Sequence, residues 1–356
     1  MDARKVLERN KIVEMYAGSR AYGTNLPTSD VDIRGVFVAE PASIRTPFFH
    51  VEEIEVPGGD TKFFELNKFM KLVLDQNPNV VELLWTAGTD LIVSSPAYDV
   101  LRQERGNLLT SKVAFTTTGY ALSQLKRIKG HNKWINNPQP EREPEMLDFV
   151  SVVYNFTSDR GWNKTVPFKG FSALELGDNH FGLFKDPGGV DASWRDVRGN
   201  PIVREKTYFD AMSSFVLQVM TKKGRTPDLV VKVNKQQFEE AHENWKNYWT
   251  WKKNRNEARS ELEEQFGYDT KHAMHLVRLL RMGYEALTEG VIKVKRPDAR
   301  ELLSIRGGAW TYEEVVEYAE HMNNEVEKAA KTTSLPKSVN MNRVATLVMN
   351  VQDMVW

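Results

Sequence analysis

The chain has 356 residues, with 48 lysines and arginines balancing 48 aspartates and glutamates, and no cysteine. A zero formal charge argues against a protein that coats nucleic acid through bulk electrostatics, while leaving room for a local basic groove. The missing thiols exclude disulfides, thiolate metal sites and cysteine nucleophiles. An apolar content of 41 % over this length is enough for a sizeable core and, as a prior, for two domains.

The opening MDARKVLERNKIV is charged and amphipathic, unlike a signal peptide, and no apolar run approaches the length of a membrane span. Residues 2–16 read as a helix leading into a short strand from Ile12 to Tyr16. Next comes Gly18-Ser19-Arg20-Ala21-Tyr22-Gly23, then a polar turn, then Ser29-Asp30-Val31-Asp32-Ile33-Arg34-Gly35. Side chains two apart on a strand point to one face, so Asp30 and Asp32 can hold a metal ion together. The Gly-Ser turn can offer backbone N–H groups to phosphate oxygens. Phosphate with a divalent metal is the chemistry of phosphoryl and nucleotidyl transfer.

Further strands are expected over Val51 to Val56 and, after the Pro57-Gly58-Gly59 turn, over Asp60 to Phe64. From Glu65 the apolar period becomes helical, with Leu66, Phe69, Met70, Val73 and Leu74 on one face. Asn77-Pro78 breaks that helix, and Val80 to Trp85 begins another. Thr110 to Ile128 is helical. Residues 141–210 are rich in Gly, Asp, Asn and Pro with poor periodicity, and read as an inserted loop- or β-rich excursion. Helical patterns are expected from Phe209 to the end, including a long charged helix over Thr311 to Lys331. The fold class is α+β: a small mixed-sheet domain over 1–108, then a mainly helical domain over 109–356 that carries the excursion.

Two segments of the helical half bear on chemistry. In Tyr268-Asp-Thr-Lys271-His272-Ala-Met-His275-Leu-Val-Arg278, Lys271, His275 and Arg278 share a helical face and suit a triphosphate. A solvated basic face is the other reading. The His272/His275 spacing raises zinc, but the chain has neither an HExxH pattern nor a cysteine and its carboxylates suit Mg²⁺ or Mn²⁺ instead, so zinc is rejected. The second segment, Trp245-Lys-Asn-Tyr248-Trp249-Thr-Trp251-Lys252-Lys253-Asn-Arg255, interleaves cations with rings, as does Lys126-Arg127-Ile-Lys129-Gly-His131-Asn-Lys133-Trp134. Both suit single-stranded nucleic acid. Equally, they suit helices that bury their aromatics and leave lysines in water.

The Gly-Ser-Arg-Ala-Tyr-Gly-Thr and Ser-Asp-Val-Asp-Ile-Arg-Gly pair resembles the DNA polymerase β-like nucleotidyltransferase superfamily. Its extended form is similar to the YcgL/RlaP-type branch of bacteria and tailed phages. The segments from Asp60 to Lys68, from Asn77 to Leu84, from Tyr268 to Leu280 and from Arg300 to Gly308 carry the resemblance further. It implies metal-dependent transfer of NMP from an NTP, ATP or CTP, with Mg²⁺ or Mn²⁺ on Asp30, Asp32 and a third carboxylate. Asp60 is favoured for that third place, with Glu65 as its rival. Gly18, Ser19 and Arg20 would contact the nucleotide phosphates together with Lys271, His275 and Arg278. Arg34 would reach phosphate or pair with Asp30 or Asp32. An RNA end, tRNA foremost, is the implied acceptor, and Lys252, Lys253, Arg255 and Trp249 are its candidate track. The alternatives are AMP transfer to a protein or small molecule, and a non-catalytic RNA- or nucleotide-binding module. The implied compartment is the cytoplasm of a bacterium or of a phage-infected host, without membrane attachment.

Overall fold

A computed structural model describes residues 3–155, 171–185, 229–255 and 257–356. Two compact units are formed. One combines Met1–Asn136 with Asn256–Trp356, and the other is Asn137–Arg255.

The first unit is built on a mixed five-stranded sheet in the order β3-β4-β2-β1-β5. Helix α1 (Ala3–Asn10) feeds β1 (Lys11–Tyr16), and a short helix α2 (Gly18–Tyr22) precedes β2 (Asp32–Phe37). Helix α3 (Pro41–Arg45) leads to β3 (Glu53–Val56) and β4 (Asp60–Glu65). β5 (Leu91–Ser94) closes the far edge. This last strand carries no turn-bounded alternation and is not anticipated from the sequence. β1 pairs antiparallel with β2 and β5, and β3 antiparallel with β4, while β2 and β4 run parallel.

Helix α4 (Leu66–Leu74) buries Leu66, Phe69, Met70 and Val73, the face read from its period. It is followed by α5 (Pro78–Val81), a 3₁₀ turn (Glu82–Trp85), α6 (Pro96–Leu108) and α7 (Val113–Asn136). After the second unit come α9 (Glu257–Phe266), α10 (Thr270–Glu289), α11 (Ala299–Arg306), α12 (Tyr312–Thr332) and α13 (Met341–Asp353). Met282, Ala286 and Leu287 of α10, Val326 and Ala329 of α12, and Val344, Leu347 and Val351 of α13 share one core with strand residues Val13, Met15 and Val36 and with Val38 just past β2. These late helices therefore complete the sheet's own core. A second cluster joins Ala121, Leu125 and Ile128 of α7 to α10, α11 and α12. α7 and α10 approach so closely that a Cβ on Gly283 would lie 2.3 Å from Thr117 Oγ1.

The second unit holds a four-stranded antiparallel sheet in the order β6-β9-β8-β7, made of β6 (Val150–Asn155), β7 (Phe171–Gly177), β8 (His180–Lys185) and β9 (Leu229–Val233), followed by α8 (Lys235–Lys253). Helix was expected from Phe209 onward. Residues 209–228 lie outside the described residues, but Leu229–Val233 is a strand, because Leu-Val-Val-Lys-Val is a β-branched run. Of the 141–210 excursion, residues 156–170 and 186–210 also lie outside. Among the described residues, no helix is long and apolar enough to cross a membrane.

Candidate active site

Parallel pairing of β2 with β4 sets Asp32 directly opposite Asp60. The Gly-Ser segment is drawn onto the same point: Ala17 N–H donates to the Asp32 carbonyl at 2.9 Å. Gly18 then turns the chain at φ +56°, and a Cβ there would fall 2.1 Å from Asp32 Oδ2. Both the left-handed backbone and the close approach require glycine. Ser19, Arg20, Ala21 and Tyr22 continue the short helix, which Gly23 ends at φ +75°. Asp30 is exposed in the turn just before β2 rather than in the strand. Its charge nonetheless acts on Asp32.

The electrostatics of the pair are those of crowded carboxylates. Burial, then a hydrogen bond and the charge of Asp60, push Asp32 up to about 6, against the opposing pull of Arg34. Arg34 holds Asp60 below the usual carboxylate range, and the hydrogen bond from Asp32 adds to this. Asp32 is therefore the harder of the two carboxylates to ionise, and Asp60 the easier. Arg34 Nη2 lies 2.9 Å from Asp60 Oδ1, and Nη1 donates to the Asp60 carbonyl at 2.7 Å. Arg34 therefore pairs with Asp60, across the strand pair, rather than with Asp30 or Asp32. Asp32 and Asp60, with the charge of Asp30 acting on Asp32, offer hard oxygen donors of the kind that suits Mg²⁺ or Mn²⁺.

Glu65, the rival third carboxylate, is buried at the other end of β4. Its Oε2 accepts from the Asn67 and Lys68 N–H groups at 2.6 and 3.4 Å and so caps α4.

The Lys271, His275 and Arg278 stripe is divided by the fold. Arg278 is 4 % exposed, so the expected open triphosphate face does not extend to it. Its guanidinium lies 3.8 Å from the centre of the Tyr22 ring, 3.6 Å from Glu82 Oε2, and donates to Met282 Sδ at 3.0 Å. Tyr22 in turn donates to Glu82 Oε1 at 2.5 Å. Burial pushes both Glu82 and Tyr22 upward. Burial, with the charges of Arg278 and Lys271, pushes His275 down to about 3, so this ring is neutral near pH 7 and brings no cation to a phosphate. Lys271 is half-buried and engaged within the fold. The three do not form one open face, because α10 is buried around most of its circumference.

Several supports of α2 carry no local sequence signal. Arg296 N–H donates to the Tyr22 carbonyl at 3.0 Å, and Lys295 Nζ to the Arg20 carbonyl at 3.3 Å. The buried Arg296 side chain forks onto Glu285 at 2.6 and 3.0 Å and reaches Asp298 at 2.8 Å. Arg20 itself lies over the Tyr16 ring at 5.6 Å.

In the second unit, Trp245 and Trp249 both donate Nε1–H to the Pro140 carbonyl, at 2.9 and 3.1 Å, and Tyr248 is buried. Tyr248 is thus a packing residue rather than a stacking platform. Lys252 Nζ lies 4.9 Å over the Trp249 ring and Arg255 4.6 Å over Trp251, while Lys253 is exposed.

No curated protein and no solved structure matches the chain. Residues 8–136, which contain α2, Asp30, Asp32 and Asp60, match the model of RlaP, the RNA repair pathway DNA polymerase beta family, and this supports placing the segment in the DNA polymerase β-like nucleotidyltransferase family.

Proposed function

We propose that the chain transfers NMP from an NTP, ATP or CTP, to a hydroxyl at an RNA end, tRNA foremost. The acceptor oxygen bonds to the α-phosphorus, the bond from that phosphorus to the bridging oxygen breaks, and pyrophosphate leaves. The observation that carries this reading is the parallel register of Asp32 against Asp60, with Gly18 pressed onto Asp32. Asp30, Asp32 and Asp60 are the groups that would hold Mg²⁺ or Mn²⁺, which supplies charge neutralisation and a lowered hydroxyl pKa. Asp60 is preferred to Glu65 because the Glu65 carboxylate is spent on a helix cap. Gly18, Ser19 and Arg20 form the phosphate side, and Lys271 is the member of the α10 stripe that retains a cationic role there. Arg278 acts as a positioning residue, holding Tyr22 and so the short helix that carries Gly18 and Ser19. Residues 1–108 are the catalytic part, and the cations and rings of α8 are the acceptor track.

The test is α-labelled NTP with Mg²⁺, with and without bulk tRNA. Label in RNA is expected. Label in protein would move the acceptor to a polypeptide, and nucleotide binding without turnover would leave a binding module.

A further inference from the structure

The fold assembles a second group of potential ligands that no sequence pattern announces. His131 on α7, Glu263 on α9 and Asp269 at the start of α10 bring one ligand atom each to within 4.8 Å of the others. Both carboxylates are buried, Glu263 at 4 % and Asp269 at 2 % exposure. Asp269 divides its oxygens. Oδ1 accepts from the His272 N–H at 2.9 Å and caps α10, while Oδ2 lies 3.6 Å from His131 Nδ1 and 3.4 Å from His272 Nε2. The His131 and His272 rings lie with centres 5.8 Å apart and planes tilted by 60°.

We propose that His131, Glu263 and Asp269, with His272 as the adjoining donor, form a structural Zn²⁺ site in the first unit. Two imidazoles with two carboxylates are a donor set that zinc takes in four-coordinate form. Ligands about 2.0–2.2 Å from zinc stand roughly 3.4 Å from one another, so the separations among His131, Glu263 and Asp269 close with side-chain adjustments of under about 1 Å each, and His272 Nε2 already stands 3.4 Å from Asp269 Oδ2. This reverses the expectation from the sequence, which rejects zinc; the His272/His275 pair is not the site. His272 stands beside Asp269 Oδ2 and the His131 ring instead.

The place of the cluster gives it a purpose. His131 lies just before the chain leaves the first unit at Asn136, and Glu263 just after it returns at Asn256. Asn132 already donates to the Gly267 carbonyl across the same point at 2.9 Å. A metal there would clamp the exit and return segments together. It takes no part in nucleotidyl transfer, so the two proposals stand or fall separately.

The test is metal analysis of the full chain, tag removed, purified without chelator and dialysed against zinc. About one zinc per chain is expected, retained in an Asp30→Asn/Asp32→Asn/Asp60→Asn variant and reduced at least about tenfold in His131→Ala and in Glu263→Gln. Replacement by Co²⁺ should give the intense visible bands of a tetrahedral site, a readout on the unaltered protein should either variant fail to fold. Sub-stoichiometric zinc, zinc lost only in the triple aspartate variant, or the weak bands of octahedral Co²⁺ would each overturn the proposal.

Discussion

Replacing Gly18 with alanine separates the two demands placed on that residue. At φ +56° an alanine pays roughly 1–2 kcal/mol for the left-handed backbone alone. Its Cβ would also stand 2.1 Å from Asp32 Oδ2, a separation no side chain tolerates, so the Asp32 carboxylate must swing away from Asp60. Gly290 supplies the control. It has φ +72° and no heavy atom within 4 Å of a built Cβ, so Gly290→Ala incurs the backbone cost without the clash. Gly290→Ala should lose about 1–2 kcal/mol in urea unfolding, and Gly18→Ala at least as much. Only Gly18→Ala should also lose turnover, by about 10²-fold or more, because a displacement of an ångström or so at a reacting centre carries that penalty. Single-turnover incorporation of labelled NMP, at a temperature where both variants are fully folded, makes the comparison. Equal rates in the two variants would refute the claim that Gly18 exists to seat Asp32.

Four further outcomes are expected. Asp32 is raised to about 6 in the metal-free fold, so its ionisation costs stability as pH climbs from its unfolded value through that range; Asp32→Asn should raise the Tm at about pH 7.5 without Mg²⁺, with the gain vanishing near pH 4. Asp60→Asn should abolish turnover, whereas Glu65→Gln should cost about 0.5–2 kcal/mol of stability through the α4 cap and spare the rate. Arg278→Ala strands Glu82 in the core and should destabilise by about 3–5 kcal/mol in urea; full stability with weakened nucleotide affinity would restore it to the phosphate site. Replacing Lys252, Lys253 and Arg255 with glutamate should lower the log–log salt slope of RNA binding by roughly 0.7 per lost phosphate contact, and an unchanged isotherm would remove α8 as the acceptor track.

What could be read in the sequence was what is local. The Gly-Ser turn and the start of β2 lie within one short segment, and the apolar face of α4 follows from a single period. The opposition of Asp60 to Asp32 was accessible because a Gly-Gly turn delivers Asp60 to the start of its strand. Spacing along α10 placed Lys271, His275 and Arg278 on one side, but spacing does not say which side faces inward. On a helix buried from Ala273 through Leu280 at nearly every position, little of the surface faces water. The grouping of His131 with Glu263 and Asp269 spans more than a hundred residues and an inserted unit, a distance over which periodicity carries nothing. The Glu285–Arg296–Asp298 support is hidden for a related reason: only the tertiary path of the loop makes its charges meet.

The shared core of the first unit has a consequence for vectorial synthesis. Val13, Met15, Val36 and Val38 are sealed by residues as late as Val351, so when Asn136 leaves the ribosome the sheet still lacks much of its cover. At 5–20 residues per second, roughly 10–40 s pass before Val351 has been made. During that wait the second unit can fold as a unit of its own, while the nascent sheet keeps apolar surface exposed to chaperones or to other chains. By the same reasoning, a fragment cut to residues 8–136 would retain the carboxylates and lose the helices that close over the sheet beneath them. Such a fragment should be soluble only when residues 256–356 are supplied, in cis or in trans.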